Sequence, residues 1–61
     1  MRAYKEGMLV KEKHGERWGD VVRVSEDGKR IEFHCKNKRC ENVCLFEYEV
    51  EHYQPQGRVH A

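Results

Sequence analysis

Three short runs in the first half of the chain have the apolar residues of β-strands. In the third run apolar and polar residues alternate, which is the pattern of a half-buried strand. The three runs lie at residues 8–13, 21–24 and 30–35. The second and third contain Val, Ile and Phe, side chains that pack well on a pleated sheet. The pattern therefore predicts three short β-strands in this part of the chain.

The second and third runs are predicted to pair as a hairpin. Asp27-Gly28 stands between them, and this dipeptide is typical of a tight turn between strands. Ile31 and Phe33 share one face of the third run, because side chains of a strand alternate between its two faces. We expect Val22 or Val24 to contact Ile31 or Phe33 across the hairpin.

The stretch at residues 45–53 is compatible with two structures. Phe46, Tyr48 and Val50 alternate with three glutamates, which is the pattern of a strand, and all three are strand-forming residues. Apolar residues of this region also recur at helical spacing. The alternative is therefore a short helical turn near residues 44–50 that leads into a final strand, and the strand is the favoured interpretation.

The length of the chain limits the fold. With 61 residues it forms one small domain, and a chain of this size buries only about 60% of the surface that its unfolded form exposes. A few short strands cannot form a two-layer sandwich, whereas a bent sheet closed into a barrel removes its exposed edges. We predict an all-β fold, a small barrel of about five short strands, in a single domain over residues 1–61 with a loose tail from residue 54.

Charge is distributed unevenly along the chain. The formal net charge is +1, but residues 1–40 carry a net charge of +4 and residues 41–61 a net charge of −3. A dipolar surface is therefore expected, unlike the uniformly basic surface of many nucleic-acid-binding proteins.

The sequence predicts a cytoplasmic protein that makes no contact with a membrane. Its apolar runs are too short to cross a bilayer, and its N-terminus lacks the pattern of a signal peptide. Three cysteines without framework spacing fit a reducing compartment.

Several features follow one another in a fixed order between residues 6 and 34. They are a Gly-led strand (Glu6-Gly7-Met8-Leu9-Val10), a loop with Gly15, the Val-rich run Gly19-Asp20-Val21-Val22-Arg23-Val24, and the turn Asp27-Gly28 before Ile31-Glu32-Phe33. This combination resembles an SH3-like barrel of the KOW or Tudor type, a kind of domain that also occurs in short phage and prophage accessory proteins. The resemblance implies binding of nucleic acid or of a protein segment through the loops at one rim.

The candidate binding surface combines two segments that the predicted topology places together. If the three runs are consecutive antiparallel strands, the loops at residues 14–20 and 36–41 leave the same end of the sheet. The candidate residues on these loops are Arg17, Trp18, Lys36, Lys38 and Arg39. The cations would neutralise phosphates, and Trp18, with Tyr4 or Tyr53, would stack on bases.

The same residues also have a purely structural interpretation. In that case the cations lie in solvated loops and Trp18 covers one open end of the barrel. Mutual repulsion among cations at one end would lower stability, and a binding role would explain why the chain tolerates it.

Cysteine and histidine residues offer an alternative in which zinc stabilises the fold. Its ligands would be Cys35, Cys40, Cys44 and His52, because Zn²⁺ takes four nitrogen or sulfur ligands. The spacing matches no standard site, and His34 next to Cys35 on a strand would point to the opposite face. We therefore predict no cofactor, with Cys35 and Cys44 in the core and Cys40 near the surface.

No catalytic constellation is apparent, so an enzyme is not expected. The chain has one Ser and no Thr, and it lacks a phosphate-binding Gly-Lys loop.

An acidic row is formed by Glu47, Glu49 and Glu51. It is either the solvent-exposed face of a strand or a surface that binds a basic partner.

The predicted function is that of a non-catalytic accessory protein that binds nucleic acid or a protein of nucleic-acid metabolism. The alternative is a small phage-type effector that binds and modulates a host protein. A homodimer is a possible assembly, since so short a chain often gains stability from a second copy.

Overall fold

The computed structural model describes residues 3–38 and 41–54, whose strands belong to one antiparallel sheet. In chain order the elements are β1 (Leu9–Glu12), β2 (Trp18–Val24), β3 (Arg30–Cys35), β4 (Asn42–Phe46), a 3-10 turn (Glu47–Glu49) and β5 (Val50–His52). The strands lie side by side in the order β4-β3-β2-β1-β5. The predicted all-β fold of about five short strands is confirmed.

The hairpin predicted from Asp27-Gly28 is also present, and it joins β2 to β3. Val24 pairs with Ile31 and Val21 with Phe33. Gly28 has a φ of +76°, a conformation that glycine adopts without steric cost. The Asp27 carboxylate accepts hydrogen bonds from the Ser25 hydroxyl (2.6 Å) and from the Lys29 N–H (3.0 Å), which fixes the turn.

The favoured interpretation of residues 45–53 as one strand is wrong, and the alternative helical turn is confirmed. The chain leaves β4 at Phe46 and forms the 3-10 turn, because the Phe46 N–H donates to the Glu49 carboxylate (3.0 Å) and the Val50 N–H to the Glu47 carbonyl. β4 and β5 lie at opposite edges of the sheet, so the chain must turn between them. Within the described residues no helix is long and apolar enough to cross a membrane.

The boundaries of two other elements differ from those predicted. β2 begins at Trp18, three residues before the predicted strand at 21–24, so Trp18 and Gly19 belong to a strand rather than to a loop. β1 is shorter than predicted and spans Leu9–Glu12. Most of the predicted tail, residues 55–61, lies outside the described residues.

The buried core draws on all five strands, so the sheet must bend strongly around it. The buried residues are Tyr4, Val10, Val21, Ile31, Phe33, Cys35, Val43 and Val50. Both edge strands contribute to this one cluster, Val43 from β4 and Val50 from β5. The Tyr4 hydroxyl donates to the Val50 carbonyl (3.2 Å), which attaches the N-terminal segment to β5.

The two described cysteines differ in environment. Cys35 is buried in the core, as predicted, but Cys44 is exposed, and its predicted place in the core is wrong. The reason is the alternation of β4, in which Val43 faces the core and Cys44 consequently faces outward.

A β-bulge at Val22 interrupts the pairing of β2 with β3. Val21 pairs with Phe33 and Arg23 with the next residue, Glu32, so Val22 has no opposite residue. Val22 is exposed, whereas Val24 returns to the core side and packs against the buried cluster. The bulge therefore separates two valines that strict alternation would place on the same face.

Gly19 lies at the point where β2 pairs with strands on both sides. It is opposite Val10 of β1 and opposite Cys35 of β3, and it is buried. A Cβ atom on Gly19 would overlap the carbonyl oxygen of His34. Only glycine allows the backbones of β2 and β3 to approach so closely here.

We expect Gly19→Ala to lower the free energy of unfolding by about 3 kcal/mol, because the clash is with backbone and no rotamer relieves it. Gly7→Ala is the matched control. Gly7 has a φ of +95° but open space around it, so its replacement should cost only about 1 kcal/mol. Urea denaturation measures both, and equal losses in the two variants would contradict the close approach at Gly19.

Candidate binding rim

Asn37 connects the two segments that the sequence predicts at one end of the sheet. Its side-chain oxygen accepts a hydrogen bond from the Trp18 N–H (3.1 Å), and its side-chain nitrogen donates to the Glu16 carbonyl (2.9 Å). The Lys36 N–H donates to the Trp18 carbonyl (2.8 Å). The two segments therefore form one surface, which we call the rim: Glu16, Arg17, Trp18, Lys36, Asn37 and Lys38.

Trp18 is half-buried and packs on Tyr53. The centroids of the two rings are 4.8 Å apart and their planes are inclined by 35°. Tyr53 is held beside β1 by its N–H, which donates to the Leu9 carbonyl (3.1 Å). Of the two tyrosines suggested as stacking partners, Tyr53 lies next to Trp18, whereas Tyr4 is buried in the core and contributes nothing to the rim.

The predicted repulsion among the rim cations is opposed by carboxylates, because each described cation of the rim faces one. Lys36 Nζ lies 3.7 Å from Asp20, and Lys38 Nζ lies 3.6 Å from Glu16. The buried Oδ1 of Asp20 accepts no hydrogen bond from the described part of the chain, since Lys36 is too distant to donate one. These are loose pairs on exposed side chains, and such pairs contribute little to stability. Arg39 lies outside the described residues.

Arg17 forms a much tighter pair than the lysines do. Its Nε and Nη2 donate to the two carboxylate oxygens of Glu12 at 3.1 and 2.8 Å, and its N–H donates to the same carboxylate at 3.1 Å. A further oxygen, from Glu41, lies 3.6 Å from Nη1. Arg17 thereby connects the end of β1 to the start of β2, a structural role that sequence reasoning did not assign to it.

The protonation behaviour of this pair follows from its geometry. The hydrogen bond from Arg17 lowers the pKa of Glu12 below its ordinary value of 4.5, and burial opposes this effect only in part. The same hydrogen bond raises the pKa of Arg17. Glu12 therefore stays charged at neutral pH, as a structural carboxylate does.

The three described residues of the alternative zinc site, Cys35, Cys44 and His52, do not come together. Cys35 points into the core and Cys44 away from it, so the two lie on opposite faces of the sheet. His52 is on β5, at the far edge from β4, and its ring stacks on Tyr4 at 4.7 Å. Among residues 3–38 and 41–54 no three potential ligands are grouped to hold a metal ion, and Cys40 lies outside those ranges.

The acidic row does not form one strand face. Glu47 and Glu49 are on the 3-10 turn, and Glu51 is on β5. What sequence reasoning missed in this region is a pair of exposed aromatic residues, Phe46 and Tyr48, whose rings stack in parallel. The alternation of aromatic residues with glutamates is the available signal, but the same alternation is also the pattern of a strand.

Comparisons with known proteins identify no relative: no protein-family model matches this chain, and neither a curated protein nor a solved structure does.

We expect Asn37→Ala to loosen the rim and to lower the free energy of unfolding by about 1 kcal/mol, because it removes two hydrogen bonds between the segments. The amide of Trp18 should then exchange its hydrogen faster with solvent. Asn42→Ala is the matched control, since Asn42 also makes two side-chain hydrogen bonds, to His34 and Glu32. Amide exchange followed by NMR would contradict the role of Asn37 if Trp18 kept its full protection.

We also expect Glu12→Gln to flatten the dependence of stability on pH in acid. The stabilisation from a lowered pKa is fully present above the unfolded-state pKa and is lost as the pH falls through the folded-state pKa. In the parent chain the free energy of unfolding should therefore decrease as the pH is lowered from about 4.5, the ordinary pKa of the group. Thermal unfolding across this range measures it, with Glu6→Gln, an exposed carboxylate, as control. An unchanged profile in Glu12→Gln would show that the pair is not responsible.

Proposed function

We propose that this chain is a non-catalytic binding module of the SH3-like barrel type and that its rim binds nucleic acid. The strand order β4-β3-β2-β1-β5, with a 3-10 turn before the last strand, resembles that of SH3-like barrels and supports the first part. Free thiols at Cys35 and Cys44 fit a cytoplasmic protein.

The observation that carries the binding proposal is the connection of the two rim segments by Asn37. It holds a half-buried tryptophan next to Lys36 and Lys38 in a surface formed before any partner arrives. Lysines bind phosphates electrostatically, and an aromatic face beside them stacks on a base with little regard to sequence.

The carboxylates of the rim would limit the affinity. A phosphate that approaches Lys38 must compete with Glu16, and one that approaches Lys36 must compete with Asp20. Competition of this kind is feasible because both lysine side chains are about half exposed and lie 3.7 and 3.6 Å from their carboxylates. Arg17, in contrast, is held by three hydrogen bonds to Glu12. The lysines are therefore the phosphate-binding residues, and Arg17 supports the loop.

Catalysis is not part of this function. Glu12 is the rim-side carboxylate with a lowered pKa, and a carboxylate held in its charged form by arginine is a poor general acid or base at neutral pH.

A second candidate is a small phage-type effector that occupies a host protein. The same ion pairs favour it, because a surface whose cations are already paired suits a protein partner with charges of both signs. Binding to a protein through Trp18 would depend little on salt, whereas binding to nucleic acid would weaken steeply as salt rises.

We expect Glu16→Gln to tighten binding to a fluorescein-labelled single-stranded oligonucleotide by up to about fivefold, because Lys38 is released from its partner. Glu51→Gln removes the same charge from β5, outside the rim, and is the matched control. Fluorescence anisotropy at several salt concentrations measures both.

In the same series Lys38→Ala should weaken binding and lower the salt slope by about 0.7, because one phosphate of the single strand is no longer neutralised. Equal affinities of Glu16→Gln and Glu51→Gln, together with full affinity of Lys38→Ala, would remove nucleic acid from the rim. Salt-independent capture of a protein that is abolished in Trp18→Ala would favour the second candidate.

A further inference from the structure

Two large aromatic side chains are exposed next to each other at the 3-10 turn. Phe46 is 39% exposed and Tyr48 is 66% exposed. Their ring planes are parallel to within 4° and their centroids are 5.4 Å apart. Adjacent exposed apolar groups often mark a surface that a partner covers. We call this pair the aromatic platform.

The backbone beneath the platform is fixed by hydrogen bonds to three places. The Phe46 N–H donates to the Glu49 carboxylate (3.0 Å), and the Glu47 N–H donates to the Lys29 carbonyl (2.8 Å). The Lys13 N–H donates to the Glu49 carbonyl (2.9 Å). The rings therefore stand on an ordered turn, and a partner would not have to supply the free energy of ordering it.

Arg30 shows which chemistry the platform accepts. Its guanidinium carbon lies 4.8 Å from the centroid of the Phe46 ring, within the range of a cation–π interaction. The pairing of β3 with β4 places these two residues directly opposite each other. Tyr48 extends this stack and remains mostly open to solvent, so a second cation could bind there.

The carboxylates near the platform form no ion pair with any cation of the described residues. A shallow groove beside the rings is lined by Lys29, Phe46, Glu47 and Tyr48. Glu47 and the nearby Glu51 take part in none of the ion pairs formed among residues 3–38 and 41–54. Burial raises the pKa of Tyr4 and both of these carboxylates raise it further, so their fields overlap at its hydroxyl.

The rim and the platform thus differ in their electrostatics. The described cations of the rim are paired with carboxylates. Near the platform three carboxylates outnumber two cations: Glu47, Glu49 and Glu51 against Lys29 in the groove and Arg30 on Phe46. A partner that complements the platform must therefore bring positive charge. A nucleic acid, which brings negative charge, does not fit this surface.

We propose that the aromatic platform, together with Glu47, is a docking surface for a basic segment of a partner protein. An arginine or lysine side chain of that segment stacks on the open face of Tyr48 and pairs with the Glu47 carboxylate. This surface is separate from the rim, since Arg30 begins β3 whereas the rim residues 36–38 follow its other end. Because the two surfaces lie at opposite ends of β3, a variant of one surface can be used to test binding at the other.

The test is an NMR titration of the full chain with two synthetic peptides of the same sequence, one with arginines and one with citrullines in their place. Citrulline keeps the shape of arginine and removes its charge. The arginine peptide should shift the amide signals of residues 46–49 and bind more tightly. Tyr48→Ala should weaken it about two- to fivefold, the value of an exposed cation–π contact, and Tyr48→Phe should retain it.

Glu47→Gln is a second variant that leaves both rings in place, and it should also weaken the arginine peptide. Lys38→Ala, in the rim, is the control and should leave that affinity unchanged. Equal binding of the two peptides, shifts that map to the rim, or full affinity in both Tyr48→Ala and Glu47→Gln would overturn the proposal. So would larger shifts at Tyr48 with a single-stranded oligonucleotide, or with increasing concentration of the chain alone.

Discussion

The close approach of β2 and β3 at Gly19 is the constraint on which the rest of the structure depends. β1 and β5 attach to one side of β2, and β3 and β4 attach to the other, so β2 carries both halves of the sheet. Where the halves meet, the carbonyl oxygen of His34 lies where a Cβ atom of residue 19 would be. The sheet can therefore bend over a single core. The rim depends on the same point, because Trp18 directly precedes Gly19. The Trp18 carbonyl accepts a hydrogen bond from the N–H of Lys36, at the start of the loop that follows β3.

The parts of the fold that could be predicted are those decided by neighbours in sequence. Asp27-Gly28 and the alternation of Ile31, Phe33 and Cys35 determine the hairpin locally, and the structure contains it. Residues 45–53 satisfy two patterns, and the favoured one, a single strand, is wrong. A contact between the Glu49 carboxylate and the Phe46 N–H, and the placement of β4 and β5 at opposite edges, decided between them, and neither is visible in a periodicity.

The location of the rim could be predicted, but its chemistry could not. Consecutive antiparallel strands bring alternate loops to the same end, so topology alone joined residues 14–20 to 36–38. Which carboxylate each cation meets depends on side-chain geometry, and these pairings oppose the repulsion that the sequence predicts. Asn37 carried no motif, yet it makes the hydrogen bonds that connect the segments.

The bulge at Val22 has a consequence for how the length of this chain can change. Because Val22 has no opposite residue, a natural variant without it would keep Val21 opposite Phe33 and Arg23 opposite Glu32 in an uninterrupted ladder. The loss of one residue from the middle of β3 would instead exchange inward and outward side chains over the rest of that strand. Single-residue deletions should therefore be tolerated at the bulge and not in the middle of β3.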